Sequence, residues 1–230
     1  MGFQESAMTP VFDWSFALHI VPPLLRALIV TVEATVAGML LAVTLGLLLA
    51  VARRFGAWPL ARAASFFVSF IRSTPLLVQI YFLFYVAPLG GVKFSPFVTG
   101  ALALGLHYSA YCAEVYRAGI EGVPQSQWDA ASALNFSRRD TLVRVILPQA
   151  IPPVVPALGN YLIAMFKDAP MLSVITVVEL LQEGKIIGSE TFRYTEPLTL
   201  VGVLFLLLSL LSAGGLRYAE RRLRLPGAPR

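Results

Sequence analysis

The stretch QSQWDAASALNFSRRDTLVRVILPQAIP, residues 125–152, interrupts a chain that is otherwise apolar almost end to end. Its local signals describe two short helices with a sharp corner between them. Pro124 suits a first helical position, where its missing N–H costs nothing. Gln125 to Leu134 is rich in helix formers, and Asn135 stands where a chain leaving a helix wants positive φ. Ser137 and Asp140 have the spacing of a capping box that opens a second helix. Leu142, Val145 and Ile146 then share a face, and Pro148 is expected to begin the return to the next apolar segment. A solvated loop with helical fringes is the plain alternative. Inserts of this length are usually functional or disordered, and the helix signals weigh against disorder. A partner is expected to dock here, on Trp128, Asp129 and the small residues beside them.

The surroundings of the insert set its context. Of the 230 residues, 57% are hydrophobic and 13% charged, with a mean hydropathy of +0.73; soluble domains run near ~25% charged. Most of the surface must therefore face lipid or another apolar chain. The net charge of +5 does not indicate nucleic acid, because the basic residues lie in short clusters between apolar segments, the pattern of membrane topology. Cys112 is the lone cysteine and excludes a disulfide within the chain. The first twenty residues carry Glu5 and Asp13 and no basic n-region, so a cleaved signal peptide is not expected.

A hydrocarbon core of ~30 Å needs about 20 apolar residues as helix, and about five segments approach that length: residues 24–51, 63–87, 96–116, one beginning near 149, and 197–216. No repeat and no linker divides them, so residues 1–230 are read as one all-helical transmembrane domain. Cytoplasmic loops collect Lys and Arg. Arg53, Arg54 and Arg62, then Arg117, Arg138, Arg139 and Arg144, then the arginines from Arg217 to Arg230 fall on one side, against only Arg26, Lys93, Lys185 and Arg193 on the other. The N-terminus is then outside, the C-terminus inside, and the insert cytoplasmic. Pro170 disfavours α geometry at Ala169, so the fourth span is expected to break there. The short apolar run 171–181 either re-enters the membrane or lies near its outer face.

With these residues in place, a resemblance can be stated. The run DAASALNFSRRDTLVRVILP resembles the cytoplasmic loop of permease subunits of binding-protein-dependent ABC importers, which reads E-A-A, then Gly, then I-x-L-P. Asp129-Ala130-Ala131 stands for E-A-A, Asn135 for the Gly, and Val145-Ile146-Leu147-Pro148 for the ending. RSTPLLVQ at 72–79, SAYCAEVYRAGIEGVPQSQW at 109–128 and KDAPMLSVITVVEL at 167–180 are similar to the polar amino acid branch, in which Ala169-Pro170 is a variation. The likeness spans about residues 20–220. WSFALHIVPPLL, ALGLHYSAYCAEVYRAGIEGVP and IGSETFRYTEPLTLVG look like the ectoine/hydroxyectoine permeases of that branch.

The resemblance implies a type I importer permease in a bacterial inner membrane. It implies a coupling loop of about residues 117–148 that docks on a cytoplasmic ATPase dimer, with Arg117, Gly119, Trp128, Asp129, Ala130, Ala131, Asn135, Leu147 and Pro148 as its residues. It further implies a second permease, identical or a sister, an extracytoplasmic solute-binding protein, and ATP with magnesium on the ATPase; no cofactor or metal is expected on this chain. The sequence agrees that the motor is separate: the one Gly-Lys pair, Gly184-Lys185, has Glu179 and Ile186 where a P-loop needs Gly and Ser or Thr.

Ionisable groups inside apolar spans are functional candidates by default. Arg72, with Thr74 and with Pro75 able to kink the helix, reads as a polar wall along a solute path, as a contact across the permease dimer, or as a structural partner of Glu114, itself a candidate for the path or its gating. Lys167 and Asp168 do not face one another on a helix, and read either as a site for a zwitterion or as gating and packing groups. Glu33 is expected about two turns from the outer end of its span. The competing reading of the whole chain is an ion- or proton-coupled secondary transporter, which would use such carboxylates directly; inverted repeats would favour it, and none is visible. No nucleophile with a converging base suggests an enzyme.

Overall fold

The structure is a computed structural model that describes residues 12–223; Glu5 and the arginines at 224 and 230 lie outside them. Every regular element among the described residues is helical. Helix α1 runs Trp14–Phe55, 42 residues, or roughly 63 Å at ~1.5 Å per residue. Asp13 caps it, accepting from the amides of Ser15 at 2.9 Å and Phe16 at 3.2 Å. The buried face of α1 is built from small residues, Ala27, Ala34, Gly38, Ala42, Gly46 and Ala50. These let α4, Pro96–Glu121, lie close along it. A Cβ on Gly46 would sit 2.6 Å from the Cβ of Cys112 and 2.9 Å from the Ser109 carbonyl, so glycine is required by the approach itself. Glu33 lies about five turns into α1, not two, because the helix starts well before residue 24; its side chain is exposed.

Helix α2, Trp58–Arg72, and α3, Leu76–Gly90, do not form one straight span over 63–87: they meet at 108°. Pro75 leaves helical geometry at φ −64, ψ 139. The freed carbonyls of Ile71 and Thr74 are recovered by the Gln79 side-chain amide, at 3.0 and 3.2 Å. Past Tyr81, α3 widens into a π turn and ends as a 3-10 turn at Gly90, with Gly91 left-handed at φ 86.

Helix α5, Gln125–Ala133, opens the insert. After the corner, the expected second short helix is instead the start of α6, which runs unbroken from Arg138 to Ile175. Pro148 therefore marks no return of the chain. A π turn over Thr141–Ile146 widens the helix ahead of Pro148, Pro152, Pro153 and Pro156, which cannot donate to the helical ladder. Nor does α6 break at Pro170. Ala169 keeps φ −53, ψ −33, and the helix tightens into a 3-10 segment, Ala169–Ile175, whose Leu172 and Ile175 are fully buried. Their burial among Ile80, Leu104, Cys112 and Met165 in the main core outweighs the local bias of Pro170. Thr176, left-handed at φ 66, turns the chain into α7, Leu180–Thr191. Glu179, fully buried, caps α7 through the Leu181 and Gln182 amides, and Thr31 of α1 accepts from the Leu180 amide. Helix α8, Thr195–Leu223, closes the fold.

By length and apolarity, α1, α6 and α8 qualify as membrane spans among the described residues, with the bent α2–α3 pair as a fourth if counted as one. Helix α4 is long enough, at 26 residues, but carries His107, Tyr108, Ser109, Glu114 and Arg117. It packs between α1, α2 and α6, so much of its surface meets protein.

Candidate functional site

The insert projects from one end of the bundle, and its corner is fixed as its residues suggest. Asn135 is left-handed at φ 55. The Ser137 hydroxyl accepts from the Asp140 amide at 3.1 Å and donates to the Asp140 carboxylate at 2.6 Å. Beneath α5, Val123, Ile146 and Ala150 form a small core against which Ile120, Trp128, Leu142 and Val145 pack. Trp128 is half-buried there, with the Arg54 guanidinium 5.8 Å above its ring. Ala131 is buried. Asp129, Ala130 and Asn135 stay exposed, Asp129 accepting from Gln125 at 3.0 Å. Leu147 is half-buried and Pro148 exposed within α6. Gly119 lets α4 approach α6, since a Cβ there would overlap Val154. The insert is therefore packed against α6 and the end of α4 through one small core.

Above it, Glu114 gathers three guanidiniums. Arg53 of α1 hydrogen-bonds its Oε1, Arg117 donates to Oε2 through Nε at 2.9 Å and Nη2 at 2.7 Å, and Arg72 approaches Oε1 at 3.9 Å. The pairing of Arg72 with Glu114 is present, but it is the outermost of the set. Arg117 also binds Glu121 one turn on.

Arg72 points the other way as well, its guanidinium 5.5 Å over the Tyr111 ring. From there a polar and aromatic wall runs through the bundle. Tyr111 lies 5.6 Å from Tyr161 and 5.2 Å from His107, between ring centroids. His107 Nδ1 donates to Gln79 Oε1 at 3.1 Å, and Gln79 donates to the Thr74 hydroxyl at 2.7 Å. At the far end Tyr108 donates to Asp168 at 2.7 Å. The structure thus brings Arg72, Thr74 and Asp168 to one wall, with Pro75 at the bend beside it. Lys167 is exposed and turns to no partner among the described residues. Gln79, Tyr108, Tyr111 and Tyr161 are members that sequence reasoning passed over. Tyr108 and Tyr111, at i and i+3, are neighbours on one face of α4, as are Tyr111 and Glu114 a turn further on, a signal present in the sequence.

A family model described as the inner membrane component of binding-protein-dependent transport systems matches residues 42–225. A probable amino-acid ABC transporter permease protein of Sinorhizobium fredii is 47% identical over 221 residues, 94% of each chain. The glutamine transport system permease protein of Escherichia coli is 33% identical, over 93% of this chain and 99% of its own. Among solved structures, the crystal structure of an amino acid ABC transporter with histidines superposes with a TM-score of 0.88 at 34% identity, over 92% of this chain and 99% of that one.

Proposed function

The chain belongs to the family of binding-protein-dependent transport system inner membrane components, as an amino-acid ABC transporter permease subunit, and we propose that it carries a polar amino acid or related zwitterion inward, with residues 117–148 coupling it to the ATPase. It is an integral inner-membrane protein and not itself an enzyme, since ATP hydrolysis in this family resides on a separate subunit. In the proposed arrangement the N-terminus is outside and the C-terminus inside. The subunit works with a second permease, identical or a sister, a dimer of ATPases that hold ATP and magnesium, and an extracytoplasmic solute-binding protein.

The observation that carries the coupling role is the packing of the insert onto the helices. A corner locked by Asn135 and Ser137, on a core shared with α4 and α6, moves as one body with the helices, so a force on α5 reaches the bundle. Asp129 is the exposed charge on that element and pairs with a basic group of the ATPase. Trp128, Ala130, Ala131, Leu147 and Pro148 shape the surface around it.

The solute path is assigned to the wall from Arg72 to Asp168. One cation and one anion separated by tyrosine rings suit a small zwitterion. Arg72 meets its carboxylate, Asp168 and the rings meet its ammonium, and Glu114 holds Arg72 in place. Printed solutes among similar proteins include glutamine and histidines; ectoine is a further candidate from the sequence resemblance. Uptake of labelled glutamine, histidine and ectoine into proteoliposomes holding the full transporter tests this. Arg72→Gln is expected to lower uptake at least tenfold while ATPase docking persists; wild-type uptake by that variant removes Arg72 from the path.

A further inference from the structure

We infer that the cleft between the ends of α1 and α4 and the middle of α2 is a binding site for a phosphate group, of the kind an anionic phospholipid presents at the membrane surface. The cleft has a volume of about 250 Å³ and is lined by Ala50, Arg53, Arg54, Ser65, Arg117, Ile120 and Glu121. Its guanidiniums differ in their commitments. Arg53 and Arg117 are held by Glu114, and Arg117 answers the one lining carboxylate, Glu121. Arg54 has no carboxylate within ion-pair distance among the described residues; its sole partner is the face of Trp128. A cation held over a ring face spends no hydrogen bond on it, so the N–H donors of Arg54 are left for an acceptor. The lining therefore has a net positive charge, with Arg54 free to donate.

Position selects the source of the anion. Arg62 lies one turn before Ser65 on the same side of α2, equally without a carboxylate partner among the described residues, its guanidinium 5.1 Å over the Trp58 ring. Beside them Phe55, Trp58, Leu60 and Phe66 are each more than half exposed. Aromatic rings flanked by arginines are the composition of a membrane interface, with rings at headgroup depth. A phosphate there accepts from the planar fork of Arg54, the geometry that favours arginine for this group, while the charges of Arg53 and Arg117 lie along the same lining. The inference depends on neither the solute nor the ATPase.

The test is native mass spectrometry of the full purified chain in detergent, titrated with phosphatidylglycerol and, separately, with phosphatidylglycerol plus millimolar inorganic phosphate. One retained phosphatidylglycerol is expected, bound at least tenfold more weakly by Arg54→Gln and weaker still by the Arg54→Gln/Arg62→Gln pair. Thermal unfolding should agree: the lipid raises the melting temperature of the wild type and not of the double variant, which also shows that the variant folds. Displacement of lipid by inorganic phosphate would assign the site to free anions, and persistence of lipid would assign it to headgroups. Equal retention of lipid and of phosphate by wild type and double variant would overturn the site.

Discussion

Glu114 shows how much one side chain can be asked to hold. Arg53, Arg72 and Arg117 reach it from three helices, and hydrogen bonds to a charged group contribute about 1.5–3 kcal/mol each when they are lost. Glu114→Gln keeps the shape and removes the charge, leaving three facing guanidiniums. Stability is expected to fall by roughly 2 kcal/mol or more, read as earlier labelling of the buried Cys112 thiol during heating. Asp13 carries a pH dependence. The Ser15 hydroxyl, then the Phe16 amide, then Arg193 hold its carboxyl down at about 2, against about 3.9 in an unfolded chain. A depressed folded value means that its stabilisation is complete above the unfolded value and lost as pH falls through the folded one. The melting temperatures of wild type and Asp13→Asn should therefore differ at pH 6 and converge between about pH 4 and pH 2. A constant difference across that window would assign Asp13 no ionic role. The pairing of Arg72 with Glu114 was legible in the sequence. Arg53 was not, because it lies 61 residues away and only the α1–α4 packing joins them.

At the scale of elements, signals carried by a few adjacent residues were legible and opposed signals were not. The left-handed Asn135 and the Ser137 cap depend on a few adjacent residues, so the corner of the insert was legible. The continuation of α6 was not, because Pro148 and Pro170 each argue for a boundary. A π turn and a buried 3-10 segment, both products of packing, absorb them. At Pro75 the chain instead bends by 108°, although Leu76 and Ile80 just beyond it are buried in the same core. The α1–α4 contact makes a sharper statement. Gly46→Ala places a methyl against Cys112 and the Ser109 carbonyl, and overpacking of this kind costs about 1–3 kcal/mol. Its melting temperature should fall although alanine is the better helix former; an unchanged or higher value would show that the helices are less tightly apposed. The aromatic wall was half legible, since its α4 members recur on one face, whereas Tyr161 and Asp168 join it only when α6 folds back on α4.

At the scale of the molecule, composition alone established a membrane chain with its basic residues gathered at one end, and the fold places the insert at that end. The number of spans was less legible. Apolarity marks helices that face lipid, and α4, enclosed by α1, α2 and α6, has no need of it. The exposed leucines of α8, among them Leu206, Leu207, Leu210 and Leu211, are then available to lipid or a second permease. In the proposed mechanism, force from an ATPase enters through residues 117–148 and moves a solute past Arg72. The most direct test is uptake of labelled amino acid into proteoliposomes holding the full transporter, wild type or Asp129→Lys, with and without internal ATP. Uptake should require ATP in the wild type and fall to background in Asp129→Lys, with membrane insertion and permease pairing intact. Uptake that ignores ATP and follows an ion gradient, or that survives the charge reversal undiminished, would contradict it.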